Sequence, residues 1–407
     1  MDINRLQSYA ELIVRNGINP SPGQAVIVTA GLDQPEFVRM VVRECYRAGA
    51  GEVVVNFTDM AIDKLDQLYQ DEEKLSHLKP WEKSRWQWVS ENFPARIWLD
   101  SDDPDGMNGI DQDKHSRTFS SRVKEIKPYR DIIENRHQWC IAAVPGPEWA
   151  AKVFPGIPVD EAVEKLWEAI LSASRANGDA LKNWQEHNSN IHNFCQKLND
   201  LRFARLHYKS SNGTDFTVGL MKEGIFCGAA ETDLEGRVFN PNIPSEEVFT
   251  SPKRGEADGV LVSTKPLSWQ GTLIEDFSIR FENGRAVECK ARCGQEALEK
   301  MISIDDGAAY LGECALIGKN SPINNLSILF YNTLFDENAS CHVALGRGFD
   351  CCVEDYSKYS KDELKALGIN DSVIHVDFMI GADDLEITGT TFDGKKITVF
   401  RNGEWAV

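Results

Sequence analysis

The sequence predicts an α/β amino-terminal domain with a largely parallel sheet, followed by an α+β, β-rich carboxy-terminal domain. Two observations predict this arrangement. In the first third of the chain, apolar strands alternate with helical patterns, which favours a parallel sheet covered by helices. From about residue 202, short extended segments alternate with turn residues, which is typical of antiparallel strands. We therefore predict domains over residues 1–200 and 201–407, with a boundary accurate to roughly ten residues.

A βαβ unit is predicted near the start of the first domain. Its strands are QAVIVTA and EVVVNF, and a helix from about Pro35 to Ala48 connects them. The turn after the first strand, TAGLDQPE, carries only Gly31 where a dinucleotide-binding protein has GxGxxG, which argues against NAD or FAD binding. Further strands are predicted at ARIWL and WCIAAV, and two long helices, at residues 159–176 and 179–201, complete the domain.

Composition and charge exclude several classes of partner. The chain has 407 residues, of which 42% are hydrophobic, enough for two cores. Its formal net charge of −19 repels phosphate backbones and anionic bilayers, so we expect neither a nucleic acid nor a membrane partner. Charges from Asp2 to Arg15 interrupt any signal-peptide core, and no run approaches the ~18 apolar residues of a membrane span. We expect a cytoplasmic protein.

The cysteines are expected to be free thiols. Ten are present, scattered singly apart from Cys351 and Cys352, and no C-x-x-C spacing occurs. Cys289 and Cys293 have no second pair to complete a zinc knuckle. The spacing therefore argues against disulfides and against a sulfur-ligated metal.

The acidic stretch at residues 100–113 is similar to a calcium loop but has the wrong register. With Gly106 at the sixth position, Ser101 stands first and Gln112 last, where such a loop needs Asp and a bidentate Glu. We predict a solvated loop.

The segment DSVIHVDFMIG predicts a strand with one polar face. Val373, His375 and Asp377 alternate with apolar residues at the strand period of two. An imidazole and a carboxylate two residues apart on a strand can bind one divalent cation. A hydrogen-bonded pair on a solvent face is the alternative, and this segment alone does not exclude it.

Two further segments favour the metal. Glu313 is the only charge in GAAYLGECALIG, and a carboxylate in apolar surroundings is costly unless it is paired or binds a metal. In LFDENASCHVALG, Glu337 and His342 lie in a predicted loop between apolar segments.

A proline-rich segment, FNPNIPSEEVFTSP, supplies adjacent acids. If it is extended, Glu246 and Glu247 point to opposite faces, so only one of them can reach a given site. Alternatively, Ser245 caps a short helix with both glutamates in its first turn. The residues themselves leave both possibilities open.

These oxygen and nitrogen ligands suit two divalent cations ~3.5–4 Å apart, which can polarise a carbonyl and ionise a shared water. Neither HExxH nor GxSxG occurs, so single-zinc and serine mechanisms lack their usual residues. A cysteine hydrolase would need Cys341 beside His342, but adjacent residues seldom place a thiol and an imidazole in hydrogen-bond geometry.

The chain resembles the thermophilic metalloaminopeptidases, a family that includes enzymes of the aminopeptidase T, aminopeptidase S and PepS types. The resemblance covers nearly the whole chain, with long motifs in the same order. They are IVRNGINPSPG (13–23), SDDPDGMNGIDQDK (101–114), NIPSEEVFTSP (242–252), STKPLSWQG (263–271), LGECAL (311–316), NTLFDENASCH (332–342), HVDFMIG (375–381) and FRNGEWA (400–406).

The resemblance implies a metalloaminopeptidase that removes residues from peptides with a free amino terminus. It also implies two divalent ions per chain (zinc, cobalt or magnesium) and a homodimer with the site in the carboxy-terminal domain. Glu313 is the implied bridging ligand, and Glu337 is a ligand or the general base, with Glu246 the second candidate for proton transfer. The implied metal ligands are Glu247, Glu313, His342, His375 and Asp377, with Glu337 as a further candidate.

One position departs from the family pattern. Where these enzymes have an active-site tyrosine in an LGxAY context, LGRGFD places Phe349, which keeps the ring but loses the hydroxyl. If that hydroxyl binds metal or the tetrahedral intermediate, its loss lowers the rate by about tenfold or more. Tyr356 and Tyr359 lie a few residues further on and are candidates to replace it, but nothing in the sequence indicates that either does. The alternative function is therefore a non-catalytic or low-activity relative that binds peptide or metal.

Overall fold

The computed structural model describes residues 2–407, and the chain divides into two compact units. The first comprises the chain up to Glu186 together with Ala230–Pro244, and the second comprises His187–Ala229 and Ser245–Val407. Within residues 2–407, no helix combines the length and the apolar character needed to cross a membrane.

Most helices precede the β-rich part of the chain. They are α1 (Ile3–Leu12), a π-helix (Ile13–Ile18), α2 (Pro35–Arg47), α3 (Met60–Tyr69), α4 (Glu72–Ser76), α5 (Pro80–Asn92), α6 (Gln112–Ile133), α7 (Pro147–Val153), α8 (Val159–Ala173), α9 (Ala180–Leu201), α10 (Gln295–Ser303), α11 (Pro322–Asn325), α12 (Thr333–Glu337) and α13 (Lys361–Leu367).

The strands concentrate after residue 200. They are β1 (Ala25–Gly31), β2 (Glu52–Thr58), β3 (Ala95–Asp100), β4 (Trp139–Ala143), β5 (Phe203–Lys209), β6 (Asp215–Leu220), β7 (Cys227–Gly228), β8 (Glu231–Thr232), β9 (Val238–Phe239), β10 (Asn242–Ile243), β11 (Val248–Thr250), β12 (Pro252–Val262), β13 (Leu267–Trp269), β14 (Thr272–Glu282), β15 (Arg285–Cys293), β16 (Leu311–Leu316), β17 (His342–Gly346), β18 (His375–Met379), β19 (Glu386–Thr391), β20 (Lys396–Arg401) and β21 (Glu404–Trp405).

The first unit is built on a parallel sheet of order β10-β4-β3-β1-β2. The apolar run of β1 is buried at its centre, as a strand covered on both faces requires. Helices α1, α2 and α8 meet in an aromatic cluster of Tyr9, Phe37 and Trp167. The predicted α/β architecture and its βαβ unit are confirmed.

The second unit contains two antiparallel sheets. The larger has nine strands, with β15 beside β14 and the others in the order β13-β14-β12-β6-β5-β19-β20-β21. A hairpin joins β14 to β15 through Asn283 and Gly284, whose φ angles of 50° and 82° are the left-handed values that such a two-residue turn needs. The smaller sheet has the order β18-β17-β16-β11-β7.

One face of the smaller sheet packs against the larger sheet. Val343, Leu345 and Phe378 share a buried apolar cluster with residues of the larger sheet, and the rings of Phe277 and Phe378 lie 5.4 Å apart. Because side chains alternate along a strand, the opposite face of β16, β17 and β18 carries the remaining residues. These include the polar residues singled out in the sequence.

Candidate metal centre

Three adjacent strands align the acidic residues of the site. Glu313 on β16 lies opposite Ala344 on β17, and Ala344 in turn lies opposite Asp377 on β18. Both carboxylates therefore share one row across the sheet, separated only by the methyl group of Ala344. His342 lies opposite Ala315, one step along the same face. Both carboxylates are buried.

His375 is oriented by the backbone. Its Nδ1 lies 2.7 Å from the carbonyl oxygen of Arg347, which makes Nδ1 the donor and leaves the lone pair on Nε2. That Nε2 lies 3.0 Å from Glu313 Oε2 and 3.4 Å from Asp377 Oδ1. A histidine whose other nitrogen is fixed by a carbonyl is the usual form of a metal-binding imidazole.

His342 is oriented in the same way. Its Nδ1 lies 3.2 Å from the carbonyl oxygen of Ser340, and its Nε2 lies 3.3 Å from Glu247 Oε2 and 4.0 Å from Asp377 Oδ1. The ring is 1% exposed, yet Nε2 makes no hydrogen bond of acceptable geometry, and neither does Asp377 Oδ1. Buried polar atoms without partners are rare unless an ion or water belongs there.

The ligand atoms form two groups that share one residue. Glu247, Glu313 and His342 form the first group, and Glu313, His375 and Asp377 form the second. Within each group the ligand atoms lie within 4.8 Å of one another. Glu313 is the shared member, which is the position that a bridging carboxylate occupies between two cations.

The acidic pair before β11 is extended. Residues 245–247 form no helix, so the alternative in which Ser245 caps a short helix is wrong. Glu247 reaches the first ligand group, whereas neither group contains Glu246. The backbone N–H of Glu246 donates to Asn338 Oδ1 at 2.7 Å. This bond ties the segment to the turn that follows α12.

Glu337 lies at the end of α12, and His342 begins β17, so the loop predicted around them is wrong. The short helix brings Glu337 toward the site, and burial raises its pKa well above the usual range, with Asp377 and Glu247 adding to the effect. A buried carboxyl group with a raised pKa beside the ligand groups is a candidate for proton transfer.

The charges of this site are incomplete without a cation. Within residues 2–407, Glu247, Glu313 and Asp377 form ion pairs only with His342 and His375. The pKa of Glu313 is raised to about 7, mainly by burial. Burial lowers the pKa of His342, but Glu247 and the other nearby carboxylates outweigh it and bring the value to about 10. The cluster thus recruits protons that a divalent cation would replace, and its donors fit such an ion.

Other candidate residues lie beside the cluster or away from it. The ring of Phe349 lies beside that of His375, with centroids 4.8 Å apart and ring planes inclined at 49°. Tyr356 and Tyr359 pack instead against an apolar cluster around Met221 and Val353. Cys341 is buried, exchanges hydrogen bonds with the backbone of Ile317, and has its pKa raised to about 12 by burial, which does not suit a nucleophile.

Sequence reasoning missed two residues that shape the site. Asn338 is fully buried and donates to the carbonyl of Leu334 at 2.9 Å while it accepts from Glu246. Ala344 gives the ligands room because it is small. An asparagine in the short segment between Glu337 and the next strand is a polar residue that the sequence shows and that could have been singled out. An alanine in an apolar strand gives no such indication.

Comparisons with known proteins identify the family of the chain. The family model described as thermophilic metalloprotease (M29) matches residues 3–405. The chain belongs to this M29 family. It is 41% identical to aminopeptidase AmpS of Bacillus subtilis and 37% identical to aminopeptidase T of Thermus thermophilus, in each case over 99% of this chain and 98% of the relative. These M29 relatives are named aminopeptidases, and the chain is a metalloaminopeptidase of the same family.

Solved structures extend the comparison to the fold. The wild-type AmpT structure from Thermus thermophilus matches with a TM-score of 0.90 at 36% identity, over 99% of both chains. A 2,5-dihydroxypyridine dioxygenase from Pseudomonas putida matches with a TM-score of 0.51 at 12% identity. The second likeness concerns the fold alone, so the chemistry of this M29 member rests on its side chains.

Proposed function

We propose that this protein is an aminopeptidase that hydrolyses the first peptide bond of peptides with the help of two divalent cations. The observation that supports it is the pair of ligand groups that share Glu313. Glu247 and His342 would hold one cation, His375 and Asp377 the other, and Glu313 both. Bound there, the cations supply Lewis acidity that polarises the scissile carbonyl and lowers the pKa of a water molecule.

Glu337 is the proposed proton carrier. In our proposal its carboxylate takes a proton from the attacking water and delivers it to the leaving amide nitrogen, which yields the free amino acid and a peptide shortened by one residue. The raised pKa of Glu337, caused first by burial, favours such an exchange. Glu246 is the second candidate, and Asn338 holds its backbone close by. Asn338 Nδ2 also lies 3.4 Å from Glu337 Oε1.

The acidic surroundings favour substrates with a free amino terminus. Several carboxylates around one site attract a terminal ammonium group, and an acylated terminus offers no such charge. A cleft that includes Asp377 has apolar lining residues, such as Leu267 and Met379, and polar ones, such as Asn332 and Asp336. We propose that it contacts the first residue of the substrate.

Turnover of leucine p-nitroanilide tests this function. We expect hydrolysis after addition of cobalt, zinc or magnesium, inhibition by a chelator, and no inhibition by a thiol alkylator. N-acetyl-leucine p-nitroanilide is the matched control and is expected to remain intact. Equal cleavage of both anilides, or activity that survives complete removal of metal, would reject the proposal.

One observation favours a second candidate, a relative that binds peptide or metal without rapid turnover. Phe349 lies beside His375 but has no hydroxyl to offer at the position of the implied family tyrosine. Metal binding without detectable anilide hydrolysis would support this candidate. The homodimer and the cytoplasmic location also stay proposals, and light scattering of the purified protein tests the first of them.

A further inference from the structure

A second cluster of ligand-type side chains lies outside the proposed active site. The thiols of Cys227, Cys351 and Cys352 lie within 4.8 Å of one another. The first two residues are half-buried and the third is buried. The group contains no histidine or carboxylate. It shares no residue with the two ligand groups around Glu313.

The backbone holds the two segments of this cluster together. Cys227 lies on β7, and the other two cysteines lie in the 3-10 turn Asp350–Cys352. The Ile225 N–H donates to the carbonyl of Cys352 at 2.9 Å, and Gly224 forms a bridge with Val353. The Cys227 thiol donates to the carbonyl of Cys351 at 3.2 Å. The three sulfurs are therefore positioned before any ion arrives, which limits the ordering cost of binding.

The spacing of the sulfurs suits one ion with three sulfur ligands. A metal–sulfur bond is ~2.3 Å long, so three sulfurs around one ion in a plane are about 4 Å apart. Sulfurs that already lie within 4.8 Å of one another are close to this arrangement. A structural zinc ion requires four ligands, and no fourth histidine or carboxylate belongs to this group. Soft sulfur ligands without a fourth donor favour Cu(I) instead.

The surroundings of the cluster are apolar. Cys352 packs with Phe249 and Ala315, and Cys227, Cys351 and Phe349 border the same cluster. These apolar neighbours favour a soft cation over a hard one. Cys227 also lies opposite Phe249 in the register of β7 and β11, which fixes one wall of the site.

We propose that Cys227, Cys351 and Cys352 form a three-sulfur site for Cu(I). The site goes beyond the proposed peptidase function and does not depend on it. The cysteine spacing argues against a sulfur-ligated metal, and this proposal departs from that prediction. The spacing could not reveal it, because Cys227 and Cys351 are 124 positions apart in the chain.

Anaerobic titration of the chelator-treated protein with Cu(I) alone, in competition with a chromogenic Cu(I) chelator, tests this site. We expect one Cu(I) per chain with the ultraviolet absorption of a sulfur-to-copper charge transfer. Cys227→Ser is expected to weaken binding at least tenfold. The double variant Cys289→Ser/Cys293→Ser removes the most accessible thiols elsewhere and is expected to bind like the wild type. Cys351→Ser replaces Cys227→Ser if the latter does not fold.

X-ray absorption of the Cu(I)-loaded protein identifies the ligands directly. Three sulfur neighbours at about 2.3 Å would support the site. Nitrogen or oxygen neighbours would place the ion among the histidines and carboxylates and overturn the proposal. Equal Cu(I) affinity in the Cys227 and Cys289/Cys293 variants would also overturn the proposal. So would a thiol titration in denaturant that finds fewer than the ten free thiols of the structure, because a pair would then have become a disulfide.

Discussion

Two acidic regions of this molecule differ in sequence pattern and in electrostatic partners. The loop at residues 100–113 is a run of acids, in which Asp111 caps α6 by accepting from the Lys114 N–H, and Asp105 pairs with Lys152 at 2.5 Å. Glu313 and Asp377 come from separate strands and are buried, and within residues 2–407 they form ion pairs only with histidines. The difference teaches that a run of acids in the sequence does not indicate a metal site, whereas buried acids that converge with histidines do.

Replacement of Glu313 is expected to have the largest effect on the site. Glu313→Gln keeps the shape of the side chain but removes the negative charge shared by both ligand groups. We expect activity to fall by about 10³-fold or more, because the loss of one oxyanion donor alone lowers the catalytic constant by ~10²–10³-fold. The metal-free variant is expected to be at least as stable as the wild type, because a buried carboxylate near two others is lost. Turnover, metal content and a melting curve check this. Near-normal turnover would mean that Glu313 is not a ligand.

His375→Ala tests whether the polar face of β18 binds metal, and a neighbouring acid supplies the control. Loss of an outer partner of a metal ligand costs ~10–100-fold in affinity, so we expect loss of a ligand itself to cost at least about 10²-fold. Asp350→Ala is the matched control, because Asp350 pairs with Lys361 and belongs to neither ligand group. Metal content after dialysis separates them. Equal loss in both variants would contradict the ligand assignment.

Phe349→Tyr probes the one departure from the family pattern. The change adds one oxygen to a half-buried ring near His375, so we expect it to fit with little strain. If the hydroxyl acts mainly in the transition state, the catalytic constant rises several-fold while the Michaelis constant barely changes. Steady-state kinetics and a melting curve decide this. Unchanged turnover with a lower melting temperature would indicate a rebuilt pocket that leaves the hydroxyl without a partner.

The smallest effect is expected in the acidic loop. Asp105→Asn removes an ion pair between half-exposed side chains, which is worth about 0–1 kcal/mol. Turnover and bound metal are expected to match the wild type, and stability is expected to change by no more than this amount. A loss of bound metal in this variant would mean that the acidic loop contributes to metal binding, which would contradict the difference between the two regions.

Features that follow from a local sequence pattern could be predicted from the sequence. The alternation around His375 and Asp377 predicted both the strand and its polar face, and the structure has β18 there. The isolated charge of Glu313 in an apolar segment predicted a buried carboxylate. These signals are readable because the strand period of two and the cost of a buried charge are local properties.

Features that depend on long-range contacts were not predictable from the residues alone. The choice of Glu247 over Glu246 required the backbone direction at that point, which no periodicity records. The two-residue strand β10 joins the parallel sheet beside β4, but so short a segment carries no pattern. The thiol cluster joins segments distant in sequence, so its geometry appears only in the fold.

Anomalous diffraction from crystals loaded with cobalt or zinc tests the central claim most directly. We predict two peaks per chain, about 3.5–4 Å apart, with the Glu313 carboxylate between them. Glu247 and His342 are expected on one ion and His375 and Asp377 on the other. A single peak, or two peaks that do not share Glu313, would contradict the account.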